Sequence, residues 1–468
     1  MEEKLGIYKK IGFVCLFLLV ALVVFAQDAD TSAASTPDVR KINVNEAVRL
    51  ALQNNLSLQS SHVALDKKKR PADLAWNQFL PNVSLQGSLA AANKATKTTS
   101  FDPTNGRPVE IEGPVWSMNG ALSIQWQGLN VAMAEGIKQL KLNYESGLIT
   151  YEKAKIQLER DVRKLYRSML LADENLRVRE QSFQLAEEQV RTSQANYSAG
   201  LSPELTLMQA RLNRDKLIPE IDQTRNNRKV TMANFAMLLG LPYDTMFELV
   251  SHGAEDYNIP GDTADLIRNA AGNKVDLQEL RSSIKTMRAA RNAIRYQLWT
   301  PSLNMGWSLA PTFTGGDPFK DEWKSDSWTD RGNFSLQLVW SLNGLLPFTT
   351  QSANLRDMED DLRAADINLA LAIRSTEVEV YNQVFLIQQA KESIEAQQKT
   401  VALAQKTYND TLTAFRAGLQ DFIQVQNVEQ QLREARLGVL QQQYNLFSLV
   451  TDLEYSLNVP FGSLSGKE

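Results

Sequence analysis

Two histidines, His62 and His252, and one cysteine, Cys15, are all that this 468-residue chain offers of the side chains that most often bind metals or attack substrates. Nothing near either histidine completes a metal-ligand set, and a lone imidazole is ordinarily a packed or surface residue. The paired carboxylates Glu187–Glu188 and Asp360–Asp361 fall on polar helix faces, where solvation accounts for them. There is no phosphate-binding P-loop and no G-x-G-x-x-G following a strand. No nucleophile–base set can be assembled. The expectation is a protein that is not an enzyme and carries neither cofactor nor metal.

The informative chemistry is partition between oil and water. Four short segments, about 82–90, 115–127, 302–310 and 333–342, alternate apolar and polar side chains. Successive strand residues point to opposite faces, so each segment has one greasy and one wet face. The greasy faces carry Leu85, then Leu122, Ile124 and Trp126, then Met305 and Trp307, then Leu336, Leu338 and Trp340. The wet faces carry Asn, Gln and Ser. Strands of about ten residues with this division suit a transmembrane β-barrel, the greasy side against lipid. All eight tryptophans (76, 116, 126, 299, 307, 323, 328 and 340) lie in, beside or between these segments, as befits a side chain that favours the membrane interface. Four strands cannot close a barrel, and the bilayer tolerates no open edge, so the chain needs copies of itself. A soluble sandwich also alternates and also uses Trp, but strand pairs of this kind need further strands to cover them.

The bulk properties fit an exported protein. Lys9 and Lys10 precede the apolar run Ile11–Phe25, and Val24-Phe25-Ala26 suits cleavage after Ala26, so residues 1–26 read as a signal peptide. Cys15 lies inside that run with too little apolar sequence before it for a lipoprotein signal. Loss of the leader takes three lysines and two glutamates with it and moves the formal charge from −4 to −5. A mildly acidic chain is a poor candidate for nucleic acid, and Lys67-Lys68-Lys69-Arg70 reads as a solvated helix face.

The strands are positioned by a duplicated helical frame. Phe79-Leu80-Pro81-Asn82-Val83 has its counterpart in Trp299-Thr300-Pro301-Ser302-Leu303, and Tyr197-Ser198-Ala199-Gly200-Leu201 in Phe415-Arg416-Ala417-Gly418-Leu419. The organisation is a linker at 27–44, a first repeat at 45–260 with a tip at 199–204, a second repeat at 261–458 with a tip at 417–421, and a tail at 459–468. Each half reads helix, strand, long polar loop (Asn93–Pro114 and Pro311–Gly332), strand, very long helix, tight break, long helix. No glycine occurs between Gly147 and Gly200 or between Gly344 and Gly418. Apolar residues recur at strict sevens: Val162, Met169, Leu176, Phe183, Val190 and Tyr197, then Ile373 through Phe415, then Val425 through Leu453. That period specifies a left-handed coiled coil. Pro219 should bend or break the outgoing helix of the first half. At the first tip, Ser202 is expected to cap the next helix, with Pro203 in its first turn.

This unit, used twice with Gly-Leu at both tips, resembles the TolC-like outer-membrane efflux protein family, the outer membrane factors, over about residues 45–457. Tyr197–Ser202 with Gln209-Ala210-Arg211, and Ala233–Leu241 with its Leu238-Leu239-Gly240, carry the likeness in detail. The resemblance implies a mainly α fold with a small transmembrane β part, and a homotrimer whose chains share one 12-stranded barrel continued by a helical tunnel. It implies a passive outer-membrane channel-tunnel of a tripartite efflux or type I secretion system, exporting small molecules or polypeptides. Its partners would be outer-membrane lipid, a periplasmic adaptor (membrane fusion) protein and an inner-membrane transporter of RND, ABC or MFS type. By the same likeness the adaptor would meet Ala199, Gly200, Leu201, Ser202, Ala417, Gly418 and Leu419. The periplasmic gate would be formed by Gln420, Asp421, Gln424 and Asn427, with Pro203, Glu204 and Thr206 in the other half. Neutral amides stand where the family's best-studied members carry acidic constrictions, which argues against strong cation selectivity there. The alternative is a periplasmic coiled-coil adaptor or scaffold whose strands form a soluble sandwich.

Overall fold

A computed structural model describes residues 40–113, 115–128, 130–250, 257, 262–315, 328–329, 331–417 and 419–465. The leader with Cys15, the 27–39 part of the linker, His252, Trp323 and Gly418 lie outside the described residues. In chain order the elements are β1 (Arg40–Ile42), α1 (Val44–Asn54), α2 (Leu56–Asp73), β2 (Asn82–Ala91), β3 (Lys97–Phe101), β4 (Pro108–Glu112), β5 (Trp116–Gln127), α3 (Val131–Ser198) and α4 (Glu204–Leu238). There follow β6 (Phe247–Leu249), α5 (Thr263–Asn273), α6 (Val275–Trp299), β7 (Ser302–Leu309), β8 (Thr312–Gly315), β9 (Trp328–Thr329), β10 (Gly332–Val339), α7 (Thr350–Arg416) and α8 (Phe422–Leu457).

The long helices are the two that lack internal glycine over most of their length. α3 has 68 residues and α7 has 67, each on the order of 100 Å at 1.5 Å per residue. α3 starts earlier than the glycine spacing suggests. Asn130 caps it by accepting from the Ala132 N–H at 2.9 Å, and the helix then runs through Gly136 and Gly147. A Cβ on Gly147 would sit 2.9 Å from the Lys68 side chain, so the glycine lets α2 lie close against α3. α4 continues unbroken through Pro219, which is exposed, so the lost hydrogen bond falls on the solvent side.

The heptad stripe is packed where hairpin partners meet it. Val162, Met169, Val380, Ile387, Val425 and Leu453 are fully buried, whereas Tyr197 at the first tip is 40 % exposed. Cores form at three levels. Ile42, Val48, Tyr166, Phe235 and Phe247 join β1, α1 and β6 to α3 and α4. Ala270, Val380, Ile387, Val450 and Leu453 make the matching core of the second half. Tyr408, Val425, Val428 and Leu432 close the second hairpin near its tip.

Several boundaries differ from the sequence reading. Residues 40–42, read as linker, form a strand parallel to β6, and Ile42 is wholly buried there. The tail folds back: Glu454 Oε1 accepts from the Gly462 and Leu464 N–H groups at 2.9 and 3.0 Å. The first polar loop contains the β3–β4 hairpin, and the second contributes β8 and β9. The fourth strand ends at Val339, because residues 342–345 wind into a 3-10 turn, so Trp340 and Ser341 lie beyond it.

Candidate functional site

Four strands form one antiparallel sheet in the order β2-β5-β7-β10, with β8 and β9 extending the upper end of β5. Its register settles which side chains share a face, because directly opposed residues point the same way. Leu85 opposes Leu122, and Leu122 opposes Leu309. Ile124 lies between Val83 and Trp307, and Phe334 continues the row. Trp126, Met305 and Leu336 form the next row, and Leu338 opposes Leu303. The apolar alternation of four separate segments therefore merges into a single face. Much of it is uncovered: Leu85 is 83 % and Leu338 71 % exposed. Trp340, just past β10, is exposed as well. Trp126 donates from Nε1 to the Phe79 carbonyl at 2.9 Å, which ties the strand to the 3-10 turn Ala75–Phe79 that leads from α2 into β2.

The opposite face is polar. Asn82 opposes Gln125, Ser84 opposes Ser123 with their hydroxyls 2.6 Å apart, and Asn304 lies between Gln127 and Gln337. At the helical end this face opens into a recess of about 560 Å³ lined by Gln78, Gln127, Asn130, Gln297 and Asn304 among others. β2 and β10 are the two edges of the sheet, each hydrogen-bonded on one side alone among the described residues.

The tips sit at the far ends of the hairpins. At the first, the Leu201 N–H reaches back to the Asn196 carbonyl at 2.8 Å while Gly200 takes φ +69°, a conformation that disfavours any side chain. The same reversal recurs at the second tip, where the Leu419 N–H bonds the Ala414 carbonyl at 2.9 Å. Pro203 rather than Ser202 holds the capping position of α4, and Ser202 makes no capping bond, because the helix starts one residue later than expected. Leu201 and Leu419 are each 78 % exposed, with Ala199 and Ala417 also at the surface. On α8, Phe422, Val425 and Val428 turn inward, which leaves Asp421, Gln424 and Asn427 exposed together on the other side with Gln420 just ahead of them. On α4, Pro203 and Glu204 are exposed and Thr206 is half-buried. The two hairpins touch here through Gln426, which donates to Asn213 Oδ1 at 2.7 Å.

Sequence reasoning missed an apolar stripe beside these polar groups. Leu201, Leu205, Met208 and Leu212 are all more than half exposed, and their spacing of four, three and four was the available signal.

A charged collar lies at mid-height. Lys153 on α3 reaches Asp276 at 2.7 Å and Glu279 at 2.9 Å on α6, so it joins the first repeat to the second. Tyr455 Oη donates to Asp276 and Thr150 to Glu279. Lys164–Asp452 and Lys274–Glu379 add ion pairs at 2.5 and 2.6 Å. Burial alone would raise the carboxyl pKa values of Asp276 and Glu279, but the Lys153 ammonium outweighs it and holds both below the ordinary range. Burial likewise opposes the charge on Lys153, and the two carboxylates overcome it and push its pKa above the usual 10.5.

His62 stands at the surface, 3.4 Å from Asp66 and edge-on to Tyr151. No group of three or more His, Cys, Asp or Glu that could hold a metal occurs among the described residues. Nor is any described helix long and apolar enough to cross a membrane.

Comparison with known proteins gives the arrangement its context. Residues 47–241 and 266–458 match the family model described as outer membrane efflux protein. No curated protein sequence matches the chain. Among solved structures, the Campylobacter jejuni CmeC outer membrane channel superposes with a TM-score of 0.72 at 15 % identity, over 95 % of this chain and 92 % of that one. CusC, described in terms of transmembrane channel formation, gives 0.70 at 16 % identity over 93 % and 97 %. The open state of the Neisseria gonorrhoeae MtrE outer membrane channel gives 0.63 at 15 % identity over 94 % and 96 %. These likenesses bear on the fold, and the family match on membership. The soluble adaptor alternative is set aside, since it accounts neither for this match nor for the uncovered apolar face. The chain belongs to the outer membrane efflux protein family, and it shares the fold of outer-membrane channels.

Proposed function

We propose that three copies of the chain share one β-barrel and act as the passive exit duct of a tripartite efflux or type I secretion system, for small molecules or polypeptides. The observation that carries this reading is the sheet itself, with one continuous apolar face and two unpaired edges, β2 and β10. In hydrocarbon an unpaired strand edge costs several kcal/mol for every unsatisfied backbone group, so β10 of one copy must meet β2 of the next. The exposed apolar residues Leu205, Met208 and Leu212 on α4 would pack against the neighbouring copy. Native mass spectrometry in detergent is expected to give a trimer with no stable monomer, and a monodisperse monomer or dimer would rule out the shared barrel.

The exposed tips with Leu201 and Leu419 at their ends would receive a periplasmic adaptor, behind which an inner-membrane transporter of RND, ABC or MFS type supplies the energy. Gln420, Asp421, Gln424 and Asn427, with Pro203, Glu204 and Thr206, would close the tunnel around the trimer axis. Gln424 and Asn427 lie three apart on one helix face, as ring-forming residues must. The double variant Gln424→Asp with Asn427→Asp would bring six carboxylates into a narrow lumen. Their repulsion should raise single-channel conductance in planar bilayers, and their charge should shift selectivity toward cations, both effects fading in high salt. No change in either property would place the gate elsewhere.

A further inference from the structure

We propose that the barrel section of this channel has no charge filter, so that polar solutes traverse it whether anionic, cationic or neutral. The proposal rests on the reading that the polar face of the sheet lines the lumen of a shared barrel.

The chain as a whole is 22 % charged, yet β2, β5, β7 and β10 contain not one Asp, Glu, Lys or Arg on either face. On the polar face every position is Asn, Gln, Ser, Ala, Gly or Val. A transmembrane strand needs an apolar outer face, so the absence of charge there follows from the bilayer. No such demand acts on the inner face, where water is free to solvate ions. Its neutrality is therefore a property of the duct. The neutral lining also continues past the strands, because the recess at the helical end is built from Gln78, Gln127, Asn130, Gln297 and Asn304. The first charges below it on α3, Glu135 and Lys138, compensate each other at 3.5 Å.

Channels discriminate ions chiefly through rings of fixed charge. Threefold symmetry would multiply any single charged residue into such a ring, and this barrel has none to multiply. Charges beyond the strand ends act weakly at mid-barrel. Ser123 stands roughly 13 Å or more from either end of β5 at about 3.3 Å per residue, which exceeds the ~10 Å screening length at 0.1 M salt. Amides and hydroxyls both donate and accept hydrogen bonds, so they can replace part of the hydration shell of either sign of ion. The cargo class that fits is broad in charge and polar in surface.

Cys15 is the only cysteine, so in a Cys15→Ser background a single introduced thiol becomes a local voltmeter. The full-length protein bearing Ser123→Cys would be treated in liposomes with a cationic and an anionic methanethiosulfonate, each rate divided by that for free cysteine. The normalised cation-to-anion ratio is expected to lie within about threefold of unity and to stay there between low and high salt. Adding Ser84→Asp, directly opposite Ser123, should raise the ratio about tenfold or more at low salt, which demonstrates sensitivity. A tenfold preference in the Ser123→Cys protein without the added aspartate, abolished by salt, would overturn the proposal. Leu122→Cys separates this failure from failure of the barrel reading. It is expected to react with neither reagent, and a reactive Leu122→Cys beside an inert Ser123→Cys would mean that the faces are reversed.

Discussion

Arginine at Leu122 is expected to leave almost no trimer in the outer membrane and arginine at Leu338 clearly less than wild type, whereas arginine at Gln337 should assemble nearly as well as wild type. Leu122 sits at the centre of the apolar face, flanked by Leu85 and Leu309, and Leu338 opposes Leu303 at its rim. A guanidinium on the lipid side costs about 2–4 kcal/mol near the bilayer midplane, as at Leu122, and less toward the rim, as at Leu338, and a trimer would incur either cost three times. Gln337 is adjacent in sequence but opposes Asn304 on the polar face, where water solvates the charge. Immunoblots of outer-membrane fractions run without heating would show the difference. Equal assembly of Leu338→Arg and Gln337→Arg would mean that the two faces meet the same medium.

Lys153→Met should weaken the join between the two repeats. It would leave Asp276 and Glu279 side by side on one face of α6, part-buried and without the cation that lowers the pKa of both. Removing one partner of such a group costs about 3 kcal/mol when burial is substantial, and rather less at this partial exposure. The pH dependence follows from the directions of the shifts. The carboxyl pKa values are lowered on folding, so their contribution is complete above the ordinary carboxylate range and fades as pH falls through the lower, folded values. The Lys153 pKa is raised, so its contribution is complete below the usual lysine value and fades as pH rises through the higher one. The contribution of this cluster to thermal stability should thus be constant from about pH 5 to about pH 10. Lys153→Met should lower the midpoint throughout that window, and the deficit should shrink only as pH falls below the ordinary carboxylate range, through the lower folded values at which the wild-type carboxylates take up protons. A midpoint deficit that persists unchanged into acid would assign the effect to lost packing instead of lost charge.

The large features were legible because they depend on periodicity. Alternation at Leu336 and Leu338 fixed the face of β10, and the sevens from Val380 to Tyr408 marked the buried side of α7. What escaped depends on contacts between distant segments. Arg40–Ile42 is too short to announce itself and becomes a strand only because Phe247–Leu249 lies beside it. The β3–β4 hairpin was hidden by its charges, although Val109 and Ile111 alternate with Glu110 and Glu112 beyond the turn at 102–106. Lys153 looked like any helical lysine, since its partners come from residues more than a hundred positions away. At the tips, polar residues attracted attention and the apolar stripe from Leu201 to Leu212 did not, because heptad reasoning assigns greasy side chains to the chain's own core. Their exposure in a single copy is a property of three-dimensional packing that no one-dimensional pattern states.

The collar and the tips together make a machine of unequal arms. The ion pairs around Lys153 clamp the two halves of the chain at one height, whereas near the far end Gln426 meets Asn213 through uncharged groups alone. From Lys153 to the end of α3 the helix extends on the order of 70 Å at 1.5 Å per residue, so a swing of about five degrees at the clamp moves the tip by roughly 6 Å. A small force applied to the end of the hairpin therefore works through a long handle against a fixed fulcrum.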